Sequence, residues 1–264
     1  MERASRVQQA GIYFGKCRRA FVNEKGWKNL ISTLIISILI IAVVPESMLY
    51  SYGATRNGCF AMICACIWIG IFNSIRVICR EREILKREHR TGLHMSSYVA
   101  ARWLFEACLC AVEALPVTVL VWIVNRGHFI EQGILLPPTL ELFISFFLIT
   151  FSADALALVI SAVVNDENTA MTVMPFALII QLIMSGMVFE LKGIPEKVST
   201  LTISRWGLNA ICTSADVNQM AFFAYSKEME ATVGNLLHQW GILLLFAVVY
   251  AILTIIALEF VDSY

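Results

Sequence analysis

A chain of 264 residues that is 58% hydrophobic, only 15% charged and of mean hydropathy +0.72 lies far outside soluble composition, where charged residues are about a quarter. Its 20 basic and 20 acidic residues cancel, so overall charge says little and no nucleic acid partner is expected. The fold expected is all-α: a polytopic membrane protein of six transmembrane helices (29–264) behind an N-terminal amphipathic interfacial helix (1–28).

No apolar h-region lies within the first twenty residues, so no cleavable signal peptide is expected and the first span directs insertion. Val7, Ala10, Phe14, Cys17 and Phe21 recur at spacings of three and four, with Arg6, Lys16, Arg18 and Arg19 elsewhere. That pattern predicts a helix in the membrane interface. Gly11 to Cys17 is not a phosphate-binding loop, because the glycine spacing is one short and Cys17 replaces the Ser or Thr that would hold magnesium.

Spans of about 20 apolar residues cross a hydrocarbon core of about 30 Å. Six segments are expected to do so: Asn29 to Val44, Asn57 to Cys79, Val99 to Val124, Thr139 to Val164, Ala170 to Phe189 and His238 to Leu258. The first is the shortest and ends at Pro45. Seven Lys and Arg precede span 1 and seven lie in or beside the loop after span 2, against six on the opposite side. That bias predicts a multi-pass plasma-membrane protein with both termini cytoplasmic.

Between Arg80 and Arg90 eight of eleven residues are charged. This density exceeds what a turn between two spans requires and suggests a docking helix, with Glu83 placed to pair with Lys86 and Arg87. Ile84 and Leu85 are its only apolar side chains, enough to seat it in a shallow groove. A tight turn is expected at Asn165–Asn168. The long loop from Leu191 reads as a small extracellular cap (191–237), apolar enough to pack on the membrane or dip into it.

Intramembrane ionisable groups mark function or internal pairing, because a charge at the bilayer centre costs several kcal/mol unless shielded. Glu106 follows Arg102 by four residues and is expected to pair with it. Glu113 and Asp154 lie deeper, where they could bond across helices, line a water-filled pathway or relay protons. Gln181, with Thr172, Met174, Phe176 and Met184, offers flexible apolar surface and one polar handle, which suits either an amphipathic ligand or packing between helices. Pro175 is expected to kink span 5.

The eight cysteines fall mostly within apolar runs and behave as small hydrophobes. Cys64 and Cys66, like Cys108 and Cys110, point to nearly opposite helix sides, so no metal site is expected. Cys59 and Cys212 fall near the expected outer side, where a bridge between them is open. The four histidines show no ligand or triad spacing, and no catalytic residues are expected.

Two patches carry a family resemblance. Glu81-Arg82, Arg87-Glu88, Gly92 and Ser96-Ser97-Tyr98 resemble the first cytoplasmic loop of the G subfamily of ABC transporters and related type-2 permeases. Ser185-Gly186 followed by Ile203-Ser204-Arg205-Trp206-Gly207-Leu208-Asn209-Ala210 resembles the end of that subfamily's span 5 and its outer segment. The layout agrees along the whole chain, except that this sequence carries no ATPase ahead of the spans, as expected of either a separate permease subunit or a membrane domain of a longer protein.

The resemblance implies the permease component of an ATP-driven exporter moving an amphipathic or hydrophobic substrate. Its partners would be a nucleotide-binding domain, which holds ATP and magnesium, and a second permease half, in a lipid membrane. No cofactor is expected in this chain. Coupling to the ATPase would fall to Arg82, Arg87 and Glu88, with Glu88 the residue to test by charge reversal. A cavity near the dimer axis would be lined by Phe60, Ile67, Asn73, Thr172, Phe176, Gln181 and Met184, and an outer gate would hold Met187 and Val188. The alternatives are an ion-coupled secondary transporter using Glu113 and Asp154, and a non-transporting membrane anchor or sensor.

Overall fold

The computed structural model describes residues 5–44, 48, 51–125, 130, 132–187, 189, 191–220 and 225–261, apart from the side chains of Val43 and Arg56. Among the expected landmarks, Pro45 and Val188 lie outside them. The described residues form helices and no strand.

Helix α1 (Arg6–Asn23) opens on a capping box, in which the Ser5 hydroxyl accepts from the Gln8 amide and the Gln8 side chain returns to the Ser5 amide. An elbow follows, with Lys25 in the left-handed region at φ 58°, and turns the chain by 70° into α2 (Trp27–Val43). The apolar stripe of α1 packs on protein: Phe14 and Phe21 both set their rings edge-on to Phe105, and Tyr13 does so to Tyr98.

Helix α3 (Tyr52–Ser74) runs into α4 (Val77–Arg90) across two residues, so the charged block is a helical extension of span 2. Gly92, at φ 108°, then ends α4 in a backbone region that L side chains rarely adopt, and the chain turns into α5 (Met95–Val124).

Helix α6 (Pro138–Val163) is the hub, with sixteen of its 26 residues buried against α3, α5, a short helix α9 (Ile203–Ser214) and the last helix α10 (Val233–Val261). Its buried stretch is dense in Ser and Ala, which lets neighbouring backbones approach closely. Ser152 donates to the Leu243 carbonyl at 2.7 Å, and Trp240 Nε1 to Ser145 Oγ at 3.0 Å, tying α6 to α10.

Helices α7 (Glu167–Ile183) and α8 (Ile194–Ser199) lead to α9, which is almost wholly buried among α3, α6 and α10. That apolar segment is thereby shielded by protein, the condition under which irregular backbone is tolerated at depth. Two 3-10 turns, Val217–Gln219 and Lys227–Met229, close that end.

Among the described residues, four helices are long and apolar enough to cross a membrane: α3 with α4, α5, α6 and α10. Helices α1 and α2 meet that test only together, as a bent pair, and α7 is a shorter apolar helix of 17 residues. The chain is thus an all-α polytopic membrane protein.

Ahead of α6, the fully buried Glu141 accepts the amides of Leu135 and Leu136 on Oε1 at 2.6 and 2.9 Å, pinning the preceding loop. Glu141→Ala orphans two amides, a loss of about 1 to 3 kcal/mol per buried unsatisfied group. A clear fall in the thermal unfolding midpoint in detergent is expected, and Glu141→Gln, which keeps an acceptor, should lose less.

Candidate functional site

The end of the molecule that carries α4 also gathers α1, the start of α5 and the α6–α7 turn. Helix α4 is held there on three sides. Its first amides, Ile78 and Cys79, donate to Ser161 Oγ of α6 at 3.0 and 3.2 Å. Arg82 reaches the same turn, donating to Asn165 Oδ1 at 2.8 Å and to the Ala162 carbonyl, one of the last free acceptors of α6. On the α1 side Gln9 takes the His94 amide and donates to the Gly92 carbonyl, and Lys16 pairs with Glu88 at 3.4 Å. The Tyr98 hydroxyl of α5 donates to Glu81 at 3.0 Å.

The two faces of α4 are therefore different. Ile78 and Leu85 are buried in a small core with Leu93, Tyr98, Leu158 and Leu258. Arg80, Glu83, Ile84, Arg87 and Arg90 form the exposed stripe, at the spacing that puts them on one helix side, and Arg80 pairs there with Glu24 at 3.2 Å. Of the three residues expected to couple, Arg87 alone lies on this stripe, while Arg82 and Glu88 turn inward to α6–α7 and α1. Ile84, 49% exposed among charges, completes a surface that charge counting alone did not single out.

The α6–α7 turn is well determined locally. Asp166 caps α7, accepting the Thr169 amide at 2.9 Å and its hydroxyl at 2.7 Å. Those bonds hold the Asp166 carboxyl below the ordinary carboxylate range.

The deep ionisable groups each find partners on a neighbouring turn or helix. Arg102 pairs with Glu106 at 2.7 Å, as the four-residue spacing predicts. Ser74 donates to Asp154 at 2.6 Å. Glu113 accepts Asn73 Nδ2 at 2.6 Å and Thr33 Oγ1 at 3.1 Å. Glu106, Glu113 and Asp154 are each at most 1% exposed, so these bonds join α2, α3, α5 and α6 out of contact with solvent.

The residues expected to line a cavity divide. Ile67 lies fully within the main core, and Gln181 is buried against α9, its Oε1 accepting the Ser204 amide at 3.2 Å while the Ser204 hydroxyl donates to the Gln181 carbonyl. Thr172 and Phe176 lie on the exposed stripe of α7 with Ile179, Ile180 and Ile183, whereas Phe60, Asn73 and Met184 are half-buried.

At the far end a cavity of about 460 Å³ is lined by Ser185, Gly186, Met187, Arg205, Asn209, Cys212 and Glu228, among others. Arg205 clamps Glu228 through two bonds at 2.9 and 3.1 Å and donates to Ser199 at 2.6 Å, and Asn209 adds a third bond to Glu228. Trp206 donates to the Thr200 carbonyl at 2.8 Å. The segment Ile203–Ala210 thus ties this end together, with Arg205 and Asn209 sharing Glu228. Cys59 and Cys212 are both buried free thiols. No cluster of three metal-ligating side chains occurs among the described residues.

Residues 17–214 match the ABC-2 type transporter family. An ABC transporter ATP-binding/permease protein of Mycobacterium tuberculosis is 29% identical over 153 residues, 57% of this chain. The match covers 18% of that relative's length.

Proposed function

The chain belongs to the ABC-2 type transporter family and is a membrane permease component of an ABC transporter; from that premise we propose that it is one half of an ATP-driven exporter, with α4 as its docking helix. The observation that carries the reading is the exposed stripe Glu83, Ile84, Arg87 and Arg90 on a helix that extends a membrane span. A charged rim around one apolar knob suits a groove on a soluble ATPase domain. That domain would bind ATP and magnesium, on this polypeptide or another; the mycobacterial relative's name joins ATP-binding and permease functions.

Six spans in a plasma membrane, with both termini cytoplasmic, accompany this proposal. Helices α2 and α7, at 17 residues each, reach about 25 Å at about 1.5 Å per residue, and slight bilayer thinning covers the shortfall. The exposed face of α7, with Thr172, Phe176, Ile179 and Ile183, would meet a second permease half, leaving Phe60, Asn73 and Met184 near the axis. Its apolar character suits an amphipathic or hydrophobic cargo. Met187 would sit at the outer gate. ATP binding would then shift the population between inward-open and outward-open states through differential contacts at α4.

The test is purification in mild detergent of the native assembly. An ATP-hydrolysing domain is expected in it, with substrate-stimulated hydrolysis lost in Ile84→Asp/Arg87→Glu while the thermal midpoint holds. Absence of any ATPase, together with transport that survives ATP depletion, would sink the reading.

A further inference from the structure

The basic residues around the α1–α2 elbow fall into two groups. Lys16 turns to protein and pairs with Glu88. Arg18, Arg19, Lys25 and Lys28 are all exposed, and among the described residues no acidic side chain pairs with any of them. Glu24, the acid between them, is bonded to Arg80 of α4. Four uncompensated positive charges therefore crowd one bend of the chain. Val22, 65% exposed, lies four residues after Arg18 and three after Arg19, on the same side of α1.

Helix α2 continues this surface. Trp27 and Lys28 head a stripe of Ile31, Leu34, Ile35, Ile38 and Leu39, each between 44% and 61% exposed, at helical spacings of three and four. The other side of α2 meets protein, with Thr33, Ser37 and Ile41 buried and Thr33 bonded to Glu113. An exposed apolar stripe of this kind lies in hydrocarbon, and a Trp at its end marks where hydrocarbon gives way to headgroups. The elbow cations then stand at headgroup level. The elbow itself is closed by its own backbone: the Glu24 and Gly26 amides donate to the Ala20 and Phe21 carbonyls at 2.8 and 2.7 Å, and those of Lys28 and Asn29 to Lys25 and Gly26 at 3.0 and 2.9 Å. With those donors spent, a headgroup is met by side chains.

We infer that the α1–α2 elbow binds an anionic glycerophospholipid of the surrounding leaflet, its phosphate held among Arg18, Arg19, Lys25 and Lys28 and its acyl chains laid along the α2 stripe. A zwitterionic lipid carries its own ammonium beside its phosphate and gains less from these cations. A soluble domain docked at the elbow would leave the adjoining apolar stripe uncovered, whereas one lipid covers both. Each basic residue near an anionic leaflet contributes roughly fivefold in affinity. The inference needs no ATP and holds whether or not α4 meets an ATPase.

The experiment uses the native assembly in phosphatidylcholine nanodiscs with increasing phosphatidylglycerol, part of it carrying a diazirine on its acyl chain, and reads photolabelling of the peptide 27–43. A diazirine phosphatidylcholine is the zwitterionic counterpart. The phosphatidylglycerol fraction at half-saturation is expected to rise about tenfold in Arg18→Gln/Arg19→Gln and in Lys25→Gln/Lys28→Gln, with the phosphatidylcholine probe unchanged. Lys197→Gln/Lys227→Gln, which removes two exposed cations from the far end, should change neither. Thermal midpoints check folding; should a variant fail to fold, high salt on the unaltered protein carries the test, because screening must release the anionic probe and spare the zwitterionic one. Equal labelling by both probes in the unaltered protein, or anionic labelling indifferent to salt and to both double variants, would overturn the inference. So would amine cross-links from Lys25 and Lys28 to an ATPase domain in place of lipid labelling, which would make the elbow a protein contact.

Discussion

Gly70→Ala is expected to separate α3 from α6 and to remove most of the folded, monodisperse protein. A Cβ at position 70 would stand 2.2 Å from the Thr150 carbonyl oxygen, 2.9 Å from the Asp154 amide nitrogen and 3.0 Å from the Ala153 Cβ. The first two are backbone of the hub helix and cannot rotate aside, so relief requires moving one helix. Overpacking costs typically 1 to 3 kcal/mol where side chains can adjust, and here the loss should reach or exceed the top of that range. The same shift would pull Ser74, one turn further along α3, from Asp154. The measurement is size-exclusion profile and thermal midpoint in detergent, with Gly241→Ala as control. That glycine lies inside α10 with nothing within 4 Å of its added Cβ, and alanine there should be neutral or stabilise by up to about 1 kcal/mol. A normal profile for Gly70→Ala would mean that α3 and α6 do not meet as closely as described.

The second large effect is expected at Arg82. On the docking reading, movement of α4 reaches the start of α7 through the bonds from Arg82 to Asn165 and to the Ala162 carbonyl. Hydrogen bonds to a charged group contribute about 1.5 to 3 kcal/mol, which corresponds to roughly a tenfold to hundredfold change in an equilibrium. Arg82→Ala should therefore cut substrate-stimulated ATP hydrolysis by about one to two orders of magnitude while basal hydrolysis remains. Arg82→Lys, able to make one of the two bonds, should recover part of it, because a single ammonium lacks the guanidinium fork. Asn165→Ala should cost less than Arg82→Ala. If basal and stimulated hydrolysis fall together in step with the thermal midpoint, Arg82 serves only to hold the fold.

Much of this organisation was legible in the residues. The Arg80–Arg90 density announced a charged helix, the Arg102 and Glu106 spacing announced an ion pair, and the turn at Asn165–Asn168 announced the start of α7. The inward orientation of Arg82 and Glu88 was not legible. Their partners lie on α6–α7 and on α1, distant in sequence, and a long cationic side chain can lie along a buried face while its head finds a carbonyl. Gln181 likewise looked like a handle for cargo because its partner, Ser204, comes from a segment more than twenty residues away. The Thr33, Asn73 and Glu113 set was invisible for the same reason: each residue alone is one polar group in an apolar run.

Composition and periodicity by themselves determined that this chain is helical, membrane-embedded and dense in charge at one place, because those properties follow from local hydropathy and helix geometry. Only the tertiary structure decided which side of each helix meets a neighbour. Helices such as α6 and α10 are apolar all round, so their sequences contain no stripe from which an inward face could be read. Each residue turns the next by about 100°, and the face that becomes functional is the one left over after Gly70, Ser74, Ser161 and Arg82 have met their partners.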